Sequence, residues 1–157
     1  MIILGIDPGS RITGFGVIES NKKQQYYIAS GCIKILGTNW SLRLKQIYDD
    51  LLEIIKEYKP DHISIEKVFV HKNPNSALKL GQARGAAIVA AASCGFQVHE
   101  YFPRQIKQAV VGFGQADKQQ IQQMVQNLLS LNKAPKKDAA DALAIAMCHG
   151  LHVKFNY

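Results

Sequence analysis

Paired cysteines, membrane-length apolar runs and blocks of like charge are all missing from this 157-residue chain. It holds three cysteines, Cys32, Cys94 and Cys148, far apart and without CxxC spacing. An odd, scattered set excludes a disulfide framework and predicts a reducing compartment with buried free thiols. The longest small-apolar stretch, GAAIVAAASCG, is too short to cross a bilayer. The opening MIILGI lacks the basic flank and the length of a secretory leader. The expectation is a soluble, cytoplasmic protein with no membrane partner. No run of Lys or Arg exceeds two residues, so any positive surface must be assembled by folding. The five histidines show no HxxxH or ExxH spacing, which favours surface or structural roles over metal binding.

What is present is a basic excess on a globular composition. There are 19 Lys and Arg against 12 Asp and Glu, a net charge of +7 that favours polyanionic partners. The hydrophobic share of 47% excludes wholesale disorder. The length, with no internal repeat and no linker, predicts one domain over residues 1–157.

Residues 2–6 are a continuous apolar run, as in a strand buried on both faces. TGFGVIES and QQYYIASGCIKI follow as strands across the turns DPGS and NKK, which predicts an antiparallel meander. From Ser41 a helix places Leu44, Ile47, Tyr48, Leu51, Ile54, Ile55 and Tyr58 on one stripe, and Pro60 closes it. HISIE reads as a short strand and the stretch from Ser76 to Ser93 as a helix. In that helix Gly81 and Gly85 share a face suited to close packing. FQVHEY is a fifth strand, and Pro103 opens a short helix to Val111. Asp117 and Gln120 form a capping box for the next helix, whose apolar face is Ile121, Met124, Val125, Leu128 and Leu129. Asp138 begins a last, alanine-rich helix running to Gly150. The order β-β-β-α-β-α-β-α-α-α predicts an α/β fold: one five-stranded mixed sheet with helices on both faces.

Four acids stand at element ends. Asp7 ends the first strand and Glu66 the fourth; if these strands are parallel neighbours, both carboxylates emerge where open α/β sheets bind ligands. Asp138 and Asp141 are three apart on the last helix and share a face. Each has an ordinary alternative: a turn residue for Asp7, a strand-end surface charge for Glu66, a dipole-favoured first-turn acid for Asp138. Asp141, inside an apolar helix, is harder to explain that way. Clustered carboxylates stay ionised together only when cations neutralise them, and an all-oxygen donor set suits Mg²⁺ or Mn²⁺ rather than zinc. Two such cations, about 4 Å apart, support in-line phosphoryl displacement. Setting the four acids aside leaves eight acids against 19 bases, a surface suited to gathering nucleic acid around an acidic pocket.

The blocks GIDPGSRITGFGVI, ISIEKVFVHKNPNSALKLGQARG, IKQAVVGFGQADKQQIQQMV and DAADALAIA resemble, in order and spacing, the RuvC-type Holliday junction resolvases. The resemblance implies a ribonuclease H-like fold, a homodimer and symmetric, Mg²⁺-dependent nicking of four-way junction DNA in recombination and repair. It also implies two ions per active site and a branch-migration motor complex as partner. The family's catalytic and metal-binding acids fall on Asp7, Glu66, Asp138 and Asp141. Phe69 corresponds to an aromatic that inserts at the junction centre, and Lys107 and Lys118 to basic residues at the phosphate. Arg11, Lys72, Lys79 and Arg84 are further candidates for the DNA surface. The pair Lys136-Lys137 before Asp138 is more basic than the family pattern leads one to expect. GIDPGSRITGFGV also resembles the phosphate hairpin of actin-like ATPases, so a nucleotide-binding domain and a non-catalytic junction binder remain as alternatives, as does a resolvase-like nuclease for another branched substrate.

Overall fold

The computed structural model describes residues 1–68, 73–112 and 114–153. The chain runs β1 (Ile2–Asp7), β2 (Ile12–Ser20), β3 (Gln25–Lys34), α1 (Trp40–Tyr58), β4 (His62–Glu66), α2 (Pro74–Ser93), β5 (Val98–Tyr101), α3 (Pro103–Val111), α4 (Lys118–Leu128), α5 (Lys137–His152). The expected element order is the observed one. The strands form one mixed sheet in the order β3-β2-β1-β4-β5. The meander β1-β2-β3 is antiparallel, while β4 runs parallel to β1 and β5 parallel to β4.

Capping chemistry sets the helix limits. The Asn39 side chain accepts the Leu42 amide, so α1 begins at Trp40, one residue before the apolar stripe suggested. Asn73 caps the amides of Asn75 and Ser76, and Pro74 occupies the first turn without losing a hydrogen bond, which starts α2 two residues earlier than expected. The Asp117–Gln120 capping box forms as the sequence predicts. Helix α5 begins at Lys137 rather than Asp138, which puts Asp138 within its first turn.

Three packing expectations change. A Cβ at Gly81 or Gly85 would meet nothing within 4 Å, so this pair supports no packing inside the chain; it lies on an outward face of α2. Leu128, in the last turn of α4, is exposed rather than buried with Ile121 and Val125. Of the cysteines only Cys148 is buried; Cys94 sits exposed at the C-terminal cap of α2, and Cys32 is partly covered.

The pleat sorts the side chains into two cores. Leu4, Ile6, Val17, Ile63 and Ile65 join α1 and α2 on one face. Ile3 and Ile18 join α3, α4 and α5 on the other. Alternation therefore turns Gly5 and Asp7 of β1, and His62, Ser64 and Glu66 of β4, toward α5. The Ser64 hydroxyl donates to the Ile145 carbonyl of α5 at 3.4 Å.

Helix α5 lies unusually close to this face. A Cβ at Gly5 would fall 2.1 Å from the Ala142 carbonyl oxygen, one at Gly16 2.6 Å from the Leu143 nitrogen, and one at Gly14 2.0 Å from the Asp138 carbonyl oxygen. On the helix side the contact is made by alanines: Ala139, Ala140, Ala142, Ala144 and Ala146 are all buried. Glycines on the strands and alanines on the helix bring two backbones together, with the Leu143 side chain packed over Gly16.

Gly14→Ala is predicted to push α5 outward. Overpacking of this kind costs about 1–3 kcal/mol, and at roughly 2–4 °C per kcal/mol the loss is readable in a thermal melt. Gly81→Ala, at the open position on α2, should leave the melting temperature unchanged or slightly raised.

Candidate active site

Asp7 closes β1 and Glu66 closes β4, and the register pairs Ile6 with Ile65 just before them. Parallel neighbours in this register deliver both carboxylates to one edge of the sheet. Asp7 also pairs with Gly14 in the β1–β2 ladder. Because the Asp138 carbonyl is seated over Gly14, the first turn of α5 is set down beside Asp7. Asp141 follows three residues later on the same helix face. The turn between β1 and β2 is fixed in its own right: the Gly9 amide donates to the Thr13 hydroxyl and Arg43 donates to the Ser10 carbonyl.

Asp7, Glu66 and Asp141 line a cavity of about 200 Å³ together with Lys107 and Lys118; Ile106, Ile121, Ala144 and Ile145 supply apolar wall. Asp138 stands at the flank, where its charge acts on both Asp7 and Asp141. The four acids repel one another, and among the described residues no three of them bring oxygens mutually within 4.8 Å.

Burial, reinforced by the negative charges of Asp141, Glu66 and Asp138, pushes the Asp7 carboxyl up to about 8. Burial and then Asp141 raise Glu66, against the pull of Lys107 and Lys118. Burial raises Asp141 too, opposed first by Lys118. The two lysines come from separate helices: Lys107 from α3, partly covered, and Lys118 from the first turn of α4, with Nζ 3.8 Å from Asp141 Oδ2. The loop and helix after β5 thus place cations over acids that the sheet and α5 gather.

The remaining candidates are dispersed. Arg84 Nε donates to the Glu66 carbonyl at 3.2 Å and its guanidinium pairs with Glu100, so it braces the end of β4. Lys79 lies 5.7 Å from the Trp40 ring centroid. Arg11 is exposed at the start of β2, its carbonyl accepting the Ile35 amide. Phe69 and Lys72 lie outside the described residues. Sequence reasoning missed the seat formed by Gly5, Gly14 and Gly16; the signal was glycine recurring on one side of two paired strands. It also missed that His62, His99 and His149 converge, although His62 is in phase with Glu66 along β4.

The family model for crossover junction endodeoxyribonuclease RuvC matches residues 3–149. This chain belongs to the RuvC family. The crossover junction endodeoxyribonuclease RuvC of Tolumonas auensis is 61% identical over 148 residues, 94% of this chain and 86% of that protein. The structure of Thermus thermophilus RuvC superposes with a TM-score of 0.87 at 34% identity, covering 97% of this chain and 95% of that one. RuvC from T. thermophilus in complex with Holliday junction substrate gives the same TM-score of 0.87 at 31% identity, over 97% of this chain and 94% of that one. The mixed sheet with helices on both faces is accordingly the ribonuclease H-like resolvase fold. No helix among the described residues is long and apolar enough to cross a membrane.

The elevated Asp7 has a stability consequence with a definite sign. Its folded value of about 8 exceeds the ordinary 3.8, so the folded protein holds a proton that the unfolded chain has released. Between these values the metal-free protein loses stability as pH rises. Asp7→Asn, which cannot ionise, is predicted to melt higher than the parent in EDTA at pH 9, with the difference shrinking toward pH 5.

Proposed function

We propose that residues 1–157 act as a single nuclease domain that resolves four-way DNA junctions by paired symmetric nicks in recombination and repair. The observation that carries this reading is the cavity in which strand-end and helix carboxylates meet Lys107 and Lys118, in a chain of the RuvC family. The donor set is all oxygen, and Asp7, Glu66 and Asp141 have raised proton affinity, as expected of carboxylates that await a counter-charge. Asp7, Glu66, Asp138 and Asp141 would hold Mg²⁺, two ions per site, with Mn²⁺ able to replace it. When bound, such ions activate water and stabilise charge on the phosphate oxygens.

The chain's own groups do the rest. Lys107 and Lys118 attract the scissile phosphate and offset its charge beside the acids. The walls from Ile106, Ile121 and Ile145 limit solvent access and sharpen those electrostatics. Arg11 and Lys79 extend the phosphate surface, and Lys72 would join them by resemblance; Arg84, already matched by Glu100, adds least. Phe69 would act as an apolar wedge that unstacks bases at the junction centre.

A homodimer suits a substrate with approximate two-fold symmetry, since each copy serves one of two like strands. The outward face of α2 is suited to the contact. Leu78 and Val89 are 67% and 55% exposed, and Gly81 and Gly85 lie between them with open space above. Association with a branch-migration motor completes the reading by resemblance, and a cytoplasmic location by the unpaired cysteines.

The test is cleavage of labelled four-way junctions, forks and duplexes, with Mg²⁺ or Ca²⁺ supplied. Paired nicks in the junction with Mg²⁺, and binding alone with Ca²⁺, are expected. Uncut junctions over a range of target sequences would overturn the proposal, and ATP turnover would favour the actin-like alternative. Asp7→Asn should lose more than the roughly 10–100-fold in rate that loss of an outer-shell partner brings, while still binding the junction. Leu78→Asp with Val89→Asp should convert a dimer to monomer in light scattering and abolish pairing of the two nicks; an unchanged mass would exclude α2 as the contact.

A further inference from the structure

At the pole of the sheet opposite the carboxylates, three imidazoles converge from three elements. His62 opens β4, His99 lies on β5 and His149 on α5, with one ring nitrogen of each mutually within 4.8 Å. His62 Nδ1 and His149 Nε2 are 2.7 Å apart. The ring centroids of His62 and His99 are 5.0 Å apart and those of His99 and His149 4.3 Å. His149 is buried, while His62 and His99 are partly exposed, so the group opens to solvent on one side. We propose that His62, His99 and His149 form a site for a divalent transition-metal ion of the zinc type, separate from the carboxylate cavity.

The donor chemistry and the supporting shell both fit. Imidazole nitrogen is a borderline ligand that favours Zn²⁺, Co²⁺ or Ni²⁺ over Mg²⁺. Three histidines leave a fourth tetrahedral position for water, on the open side. The Tyr101 hydroxyl lies 2.7 Å from His149 Nδ1. When Nδ1–H donates to that oxygen, Nε2 carries the lone pair and faces His62; a second partner of this kind is the usual means of orienting a ligating histidine. Burial, with His99 and His62 nearby, holds His149 far below the usual imidazole range, at about 3, and His99 is lowered as well. Neutral imidazole is the form that binds metal, and burial favours it at His149 and His99. With metal–nitrogen bonds of about 2.0–2.1 Å, tetrahedral ligand nitrogens stand about 3.3 Å apart. The His62–His149 contact needs to open by only about 0.6 Å, with the His62 proton carried on Nε2 so that Nδ1 faces the ion. The eight helical steps from Asp141 to His149 amount to about 12 Å, so one ion cannot serve both sites. A bound ion would tie β4, β5 and α5 together at the end remote from the chemistry.

The test uses the full chain without a histidine tag, stripped with EDTA and titrated with Zn²⁺ in calorimetry and thermal melts, and with Co²⁺ in visible absorption. One Zn²⁺ per chain is expected, with a melting temperature that climbs with Zn²⁺ concentration and nitrogen-type Co²⁺ bands. The same response is expected in Asp7→Asn/Asp141→Asn, which disables the carboxylates. His99→Ala and His62→Phe, at the partly exposed ligands, should each weaken Zn²⁺ affinity at least tenfold while the metal-free protein still melts cooperatively. A parent protein indifferent to Zn²⁺, an undiminished response in both histidine variants, or a response lost only with the carboxylates would overturn the proposal.

Discussion

The contact between α5 and the β1–β2 pair is the constraint on which the rest of the molecule depends. Clustered acids do not assemble spontaneously; something must hold them against their repulsion and against the loss of solvent. Here the restraint is steric and apolar. Glycines remove the Cβ layer from the strands, alanines reduce it on the helix, and the helix settles onto the sheet so closely that an added methyl would collide with backbone. Burial along nearly the whole of α5 then fixes Asp138 and Asp141 relative to Asp7. The electrostatic cost is visible in the raised proton affinities of Asp7, Glu66 and Asp141.

The two cores divide the labour. The α1–α2 side buries large aliphatic side chains from alternate strand positions and supplies bulk hydrophobic stabilisation. The α3–α4–α5 side buries Ile and Leu as well, adds the close glycine–alanine contact with α5, and carries every described acid and lysine of the cavity. Confining the cavity to one face leaves the other free to serve stability alone.

Much of this was readable from the residues. Buried-strand runs, turn dipeptides and helix stripes each follow a local rule, and they gave the element order without error. The four acids stood out because a carboxylate at the end of an apolar strand needs a reason. The glycine seat was not readable in the same way: nothing in GFG alone says that a helix more than a hundred residues later will press upon it. Gly81 and Gly85 show the same ambiguity from the other side, since glycine spacing on α2 looked like an internal packing device and faces outward. The histidines were missed because motif spacing detects ligands on one element, whereas His62, His99 and His149 meet only through strand pairing and the lie of α5.

Arg84 bridges the outer helix α2 and the strand end at the cavity. It springs from α2, beneath the outward face of small and apolar residues, and grips the last carbonyl of β4 while its charge is matched by Glu100 on β5. The strand end bearing Glu66 is thereby leashed to α2. A displacement of that helix would therefore pull, through this guanidinium and the core shared by α2 and β4, on the strand end that bears one acid of the cavity.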